Sequence, residues 1–188
     1  MVSIAALWLP ILLSGVAVFV VSSIIHMLIP LHKGDYQKVA GEEEMRATMR
    51  THGVKPGQYM FPCADSMKDC ATPEHVAKLN EGPVGTLVVI QNGPVNMGKM
   101  LGIWFAFSVV VSVFVAYLTG VTTAPGTEFI EVFRRAGTVA FIAYGLSNVT
   151  DSIWKGVSWG ITAKFLFDGL LYALATGALF AAMWPAAA

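Results

Sequence analysis

The chain begins with a long apolar run that no ionisable side chain interrupts before His26. A helix needs about 20 apolar residues to cross roughly 30 Å of hydrocarbon. The run therefore predicts a membrane-spanning helix from about Ile4 to Leu28, ended by Pro30. It lacks the positive N-terminal region and the short apolar core of a signal peptide, so we expect it to be retained. Three similar runs follow, at Met100–Thr119, Ala136–Trp154 and Phe165–Trp184.

The segment between the first two runs is polar and carries most of the charge. Its pattern predicts a short helix from Glu42 to Arg50 and another that opens at Thr72-Pro73. Val84–Ile90 is rich in β-branched residues, and Gln58–Phe61 is a candidate partner strand. The alternative is that Val84–Ile90 lies on the membrane surface. We expect helix 1 at 1–30, a folded extramembrane cap at 31–98 and helices 2–4 at 99–188.

Composition supports a membrane protein. Hydrophobic residues make up 55% of the 188 residues and charged residues 13%, about half the charged fraction of a soluble domain. Basic and acidic residues balance at 12 each, so no overall field attracts nucleic acid. The tryptophans fall at predicted helix ends or in the adjoining loop, where the lipid headgroups lie: Trp8, Trp104, Trp154, Trp159 and Trp184. The expected fold is an all-α membrane protein of four transmembrane helices with a cap.

Small residues recur every four positions in two of the predicted helices. The ridge in helix 4 comprises Gly169, Ala173, Gly177 and Ala181. The ridge in helix 2 comprises Ser108, Ser112, Ala116 and Gly120. Such ridges let helices approach closely in a membrane. Helices 2 and 4 could pack on each other through them, or one ridge could dock another subunit.

Polar side chains converge at the cap-side ends of the four predicted helices. This predicted polar cluster comprises His26, Lys99, Asn148, Asp151, Lys164 and Asp168. Charged groups inside a membrane are costly and normally find partners. One interpretation is a structural network in which Lys164 or Lys99 neutralises Asp168. The other is a site that binds a divalent metal or relays protons through His26, His32, Asp151 and Asp168; no other cofactor is expected.

The cysteines and the charges of the loops bear on which side of the membrane the cap occupies. Lysines dominate the cap side: Lys33, Lys38, Lys99, Lys155 and Lys164. Arg134 and Arg135 lie on the other side, so the positive-inside rule predicts a cytoplasmic cap and periplasmic termini. Cys63 and Cys70 would then stay reduced, whereas a periplasmic cap would allow a disulfide. Their spacing does not match the usual zinc motifs.

Several segments together resemble an uncharacterised family of bacterial four-helix integral membrane proteins. They are Ser22–Met27 with His32 and Asp35-Tyr36, Asn92–Lys99, Asp151–Trp154 and Phe167–Gly177, with Trp184-Pro185. The resemblance spans nearly the whole chain and implies a bacterial inner-membrane location. It carries over no catalytic or binding residue.

Two functions are expected from the sequence. Because nucleotide-binding and nucleophile motifs are absent, the first is a non-enzymatic accessory or assembly subunit of an energy-converting membrane complex. Its partners would be lipid and other membrane subunits, or a second copy of the chain. The alternative is a small transporter, or a metal- or proton-handling protein, that uses the predicted polar cluster.

Overall fold

The computed structural model describes residues 1–187. The chain forms two compact units. The helical unit contains Met1–Asp35 and the chain from Asn96 onward, and the polar unit contains Tyr36–Val95. The helices and strands in chain order are α1 (Trp8–Met27), α2 (Glu42–Thr51), β1 (Gly57–Phe61), α3 (Pro73–Glu81), β2 (Gly85–Val89), α4 (Met97–Thr122), α5 (Phe129–Tyr144), α6 (Val149–Lys155) and α7 (Trp159–Ala182).

Three helices of the helical unit are long and apolar enough to cross a membrane. They are Ile4–Met27, which joins a short 3-10 turn to α1, then α4, and α7. Their mean hydropathies are 2.5, 2.3 and 1.7. Three of the four expected spans are thus confirmed by length and composition, and they indicate a multi-pass membrane protein.

The third predicted span differs from the expected single helix over Ala136–Trp154. The structure begins α5 earlier, at Phe129, and ends it at Tyr144. A 3-10 turn and the separate helix α6 follow. The α5 helix has 16 residues and is about 24 Å long at 1.5 Å per residue, shorter than the roughly 30 Å of hydrocarbon. Asn148 fixes the break, because its side-chain amide donates to the carbonyls of Tyr144 and Gly145.

The four long helices form a ring. The α1 helix packs against α4 and α7, and α5 packs against the same two helices. The small-residue ridge of α7 therefore faces α5, not the second span as the sequence suggested. An ideal Cβ at Gly169 would lie 2.5 Å from the Cα of Gly145, and one at Gly177 would lie 2.9 Å from the carbonyl oxygen of Phe133. Glycine is required at both positions because backbone approaches backbone.

The polar unit contains α2, α3 and a two-stranded antiparallel sheet. Gly57 pairs with Val89 and Phe61 with Gly85. The strands lie where the sequence placed them, but α3 intervenes between them, so they do not form a tight hairpin. Both cysteines, Cys63 and Cys70, are exposed free thiols.

Candidate metal centre

Two histidines and one aspartate meet at one end of the helical unit. His26 lies in the last turn of α1. Pro30 cannot continue that helix and begins a 3-10 turn that ends at His32. The turn brings the two imidazole rings face to face, with centroids 4.5 Å apart and planes within 4°. Asp168 reaches the same point from α7. We call His26, His32 and Asp168 the His–Asp cluster.

The two histidines point at the same carboxylate oxygen. Nε2 of His32 lies 2.8 Å from Oδ2 of Asp168, and Nε2 of His26 lies 3.9 Å from that atom. One ligand atom from each residue falls within 4.8 Å of the others. The side chains are 43%, 14% and 3% exposed for His26, His32 and Asp168. Both histidines also line a cavity of about 370 Å³.

Asp35 and Lys164 fix the orientation of His32 on the Nδ1 side of its ring. Nδ1 of His32 lies 2.7 Å from Oδ2 of Asp35, whose other oxygen accepts a hydrogen bond from the Lys164 ammonium. The hydrogen bond from Lys164, and after it the one from His32, holds the pKa of the Asp35 carboxyl below its ordinary value. The ionised carboxylate only accepts hydrogen bonds, so Nδ1 of His32 carries a proton and donates.

The same argument fixes the ring nitrogens of His26. Its Nδ1 lies 3.0 Å from the backbone carbonyl oxygen of Ser22, which only accepts. In a neutral imidazole whose Nδ1 donates, Nε2 carries a lone pair. The Nε2 lone pair of neutral His32 therefore faces the lone pairs of Asp168 at 2.8 Å. This contact is favourable only when a cation joins the two atoms, as a proton on Nε2 or a metal ion.

The hydrogen bonding of Asp168 also points to a cation. Oδ1 of Asp168 is buried and has no hydrogen-bond partner among the described residues. A buried, unsatisfied carboxylate oxygen is costly, and a cation bound by both oxygens of Asp168 would remove that cost.

The donor set fits a divalent transition metal. Two imidazole nitrogens and one carboxylate oxygen are typical ligands of zinc and of non-haem iron(II), with positions left for an exchangeable ligand. Ligand atoms around a tetrahedral zinc ion lie about 3.4 Å apart. The 2.8 Å contact would open by roughly half an ångström and the 3.9 Å contact would close by as much. Asp35 supplies the hydrogen bond by which a carboxylate orients a metal-bound histidine.

Of the other predicted site residues, Lys164 joins the site through Asp35, whereas Asp151, Asn148 and Lys99 make contacts elsewhere. Asp151 pairs with Lys155 at 2.7 Å in α6. Asn148 caps α5, and Lys99 lies in the first turn of α4. The sequence predicts Lys164 or Lys99 as the partner of Asp168, but Lys164 pairs with Asp35. The order lysine-then-aspartate is the weaker one for such a helical pair.

Sequence reasoning did not place Asp35 in the site. Asp35 is three residues from His32 and 129 from Lys164, so only the first of its contacts is local. The spacing His32-x-x-Asp35, directly after a proline that ends a helix, was the available signal.

Comparisons of the chain with protein-family models, with curated proteins and with solved structures find no match. The function is therefore proposed from the geometry of this chain.

Proposed function

We propose that this is a metal-handling membrane protein that binds a divalent transition-metal ion through His26, His32 and Asp168. The observation that carries the proposal is the convergence of two imidazole Nε2 atoms on one buried carboxylate oxygen. Both rings bond through Nδ1 to acceptors, so Nε2 is the ligand atom of each. Because the two rings are stacked in parallel, one ring must tilt for both to bind a single ion. Three protein ligands leave the ion at least one position for water or an incoming ligand.

A purely structural ion pair is the alternative explanation of the same contacts. A charged His32 would donate to Asp35 and Asp168 and needs no further partner. The position of His26 favours the metal, because a second imidazole stacked on His32 adds no hydrogen bond to Asp168 at 3.9 Å. A metal ion makes use of all three side chains.

The exposure of the cluster supports capture and release of the ion. His26 is nearly half exposed, whereas Asp168 is buried against the bundle. An ion arriving at His26 would exchange water for imidazole and then carboxylate. The site thus suits reversible handling of an ion at the end of a membrane bundle.

Isothermal titration of the purified chain with Zn²⁺ tests this function. We expect one ion per chain and at least about a tenfold loss of affinity in His26→Ala, His32→Ala and Asp168→Asn. His52→Ala is the matched control, because His52 is an exposed histidine of the polar unit, and we expect its affinity to be unchanged. An absence of binding, or equal affinity in all variants, would refute the proposal.

We further propose that α5, with the turn and α6 after it, completes a fourth crossing. The α5 helix packs along α7 through glycine contacts over much of its length, which supports its immersion beside a spanning helix. The proposed setting is the bacterial inner membrane, with lysine-rich loops in the cytoplasm and both termini in the periplasm.

The accessory-subunit hypothesis stays a prediction. The hypothesis rests partly on a small-residue ridge that is free to contact a partner. In the structure the ridge of α7 packs against α5 of the same chain. Extraction in a mild detergent followed by pull-down tests it. Stoichiometric membrane partners would support the hypothesis, and recovery of the chain alone would count against it.

A further inference from the structure

A second cavity lies between α4 and α5, at the end of the helical unit away from the His–Asp cluster. Its volume is about 390 Å³. Thr119 and Thr122 line it from α4, and Arg134, Arg135 and Thr138 line it from α5, with two aliphatic side chains. Every charged residue in this lining is basic. We call it the Arg–Thr cavity.

The two arginines of the cavity have different roles. Arg135 donates to the carbonyl of Thr122 at 2.6 Å and to the hydroxyl of Thr123 at 2.9 Å, so it closes the end of α4. Arg134 makes no hydrogen bond within residues 1–187, and its closest acid, Glu131, is 4.0 Å away. Its side chain is 69% exposed. Arg134 therefore offers free guanidinium donors at the mouth of the cavity.

The cavity lies at the depth of lipid headgroups. The α4 helix ends at Thr122, beside the cavity. Nearby, the indole of Trp184 donates to the carbonyl of Ala124, and indoles favour the membrane–water interface. Below the cavity, α4 exposes apolar side chains such as Phe114 and Leu118. A mostly apolar cavity with the exposed Arg134 in its lining, above an apolar helix face, matches a lipid with a phosphate headgroup and acyl chains.

We propose that the Arg–Thr cavity binds the phosphate headgroup of an anionic phospholipid. Arg134 would pair with the phosphate. Arg135, which pairs with Glu131 at 3.3 Å, would keep the end of α4 closed. This site is separate from the His–Asp cluster and does not depend on metal binding.

Native mass spectrometry of the chain in detergent, with phosphatidylglycerol or phosphatidylcholine added, tests the proposal. We expect preferential retention of phosphatidylglycerol and a loss of about tenfold in its affinity for Arg134→Gln. Arg46→Gln is the matched control, because Arg46 forms an exposed pair with Glu43 three residues away, as Arg134 does with Glu131.

Two outcomes would overturn the proposal. One is equal retention of the two lipids, or equal retention of phosphatidylglycerol by the wild type and by Arg134→Gln. The other is binding of inorganic phosphate that depends on Arg134 while no lipid is retained, which would assign the cavity to a free anion.

Discussion

His32 is held between two carboxylates, and this arrangement decides what its ring can do. Asp35 accepts from Nδ1 at 2.7 Å, and Nε2 faces Asp168 at 2.8 Å. Asp35 is fixed in turn by Lys164. The ring is thereby preorganised, so metal binding would not lose free energy in ordering it.

Asp35→Asn removes the charge behind His32 and nearly preserves the shape of the side chain. The asparagine oxygen still accepts from Nδ1, but it no longer raises the basicity of the ring. We expect a 10- to 100-fold loss in Zn²⁺ affinity, typical of a change in the group that orients a ligand, with unchanged circular dichroism. Titration calorimetry measures it, and Asp65→Asn on the exposed surface of the polar unit is the control. Equal affinities would show that Asp35 does not orient the ligand.

The sequence predicted the three residues of the His–Asp cluster as site residues but did not predict Asp35. His26 and Asp168 stand out because ionisable groups in apolar runs are rare, and His32 was included with them. Asp35 lies in polar sequence, where an aspartate is ordinary. Its role depends on Lys164, which is distant in sequence and becomes adjacent only through packing.

At the scale of the elements, the contact between α5 and α7 is made by backbone. Gly145 meets Gly169, and Gly137 meets Gly177, with ideal Cβ positions at 2.5 to 3.2 Å from the facing backbone. Since there is no hydrophobic driving force between helices in lipid, such close van der Waals contact stabilises the pair.

Gly177→Ala tests this contact with the smallest possible change. Its new Cβ would lie 2.9 Å from the carbonyl oxygen of Phe133, so the helices must separate. We expect a loss of about 1–3 kcal/mol, seen as a lower midpoint of thermal unfolding in detergent. Gly102→Ala in α4 is the control, because a Cβ there meets nothing within 4 Å, and helix propensity favours alanine by up to about 1 kcal/mol. A shift of the same sign in both variants would contradict the packing described.

Apolar runs predicted α1, α4 and α7, but the run Ala136–Trp154 did not reveal the end of α5. A glycine within an apolar run is common in membrane helices. At Gly145 the helix ends where Gly169 approaches and Asn148 caps the last carbonyls. Both contacts depend on the fold, so local sequence could not indicate them.

For the whole molecule, the number of crossings determines which loops share a side. A fourth crossing by α5 and α6 places Glu128 and Lys155 on opposite sides of the membrane. We expect single cysteines at Glu128→Cys and Lys155→Cys, with Cys63 and Cys70 replaced by serine, to react with an impermeant maleimide from opposite sides of sealed vesicles. Labelling of both from one side would mean that the α5–α6 segment does not cross.

The central claim is that His26, His32 and Asp168 bind one metal ion together. X-ray absorption spectroscopy of the Zn²⁺-loaded chain measures it most directly. The account predicts nitrogen and oxygen ligands at about 2.0–2.1 Å, with outer-shell scattering from two imidazoles that falls to one in His26→Ala. Sulfur at about 2.3 Å, which would place the ion on the cysteines, or a spectrum without imidazole scattering, would contradict it.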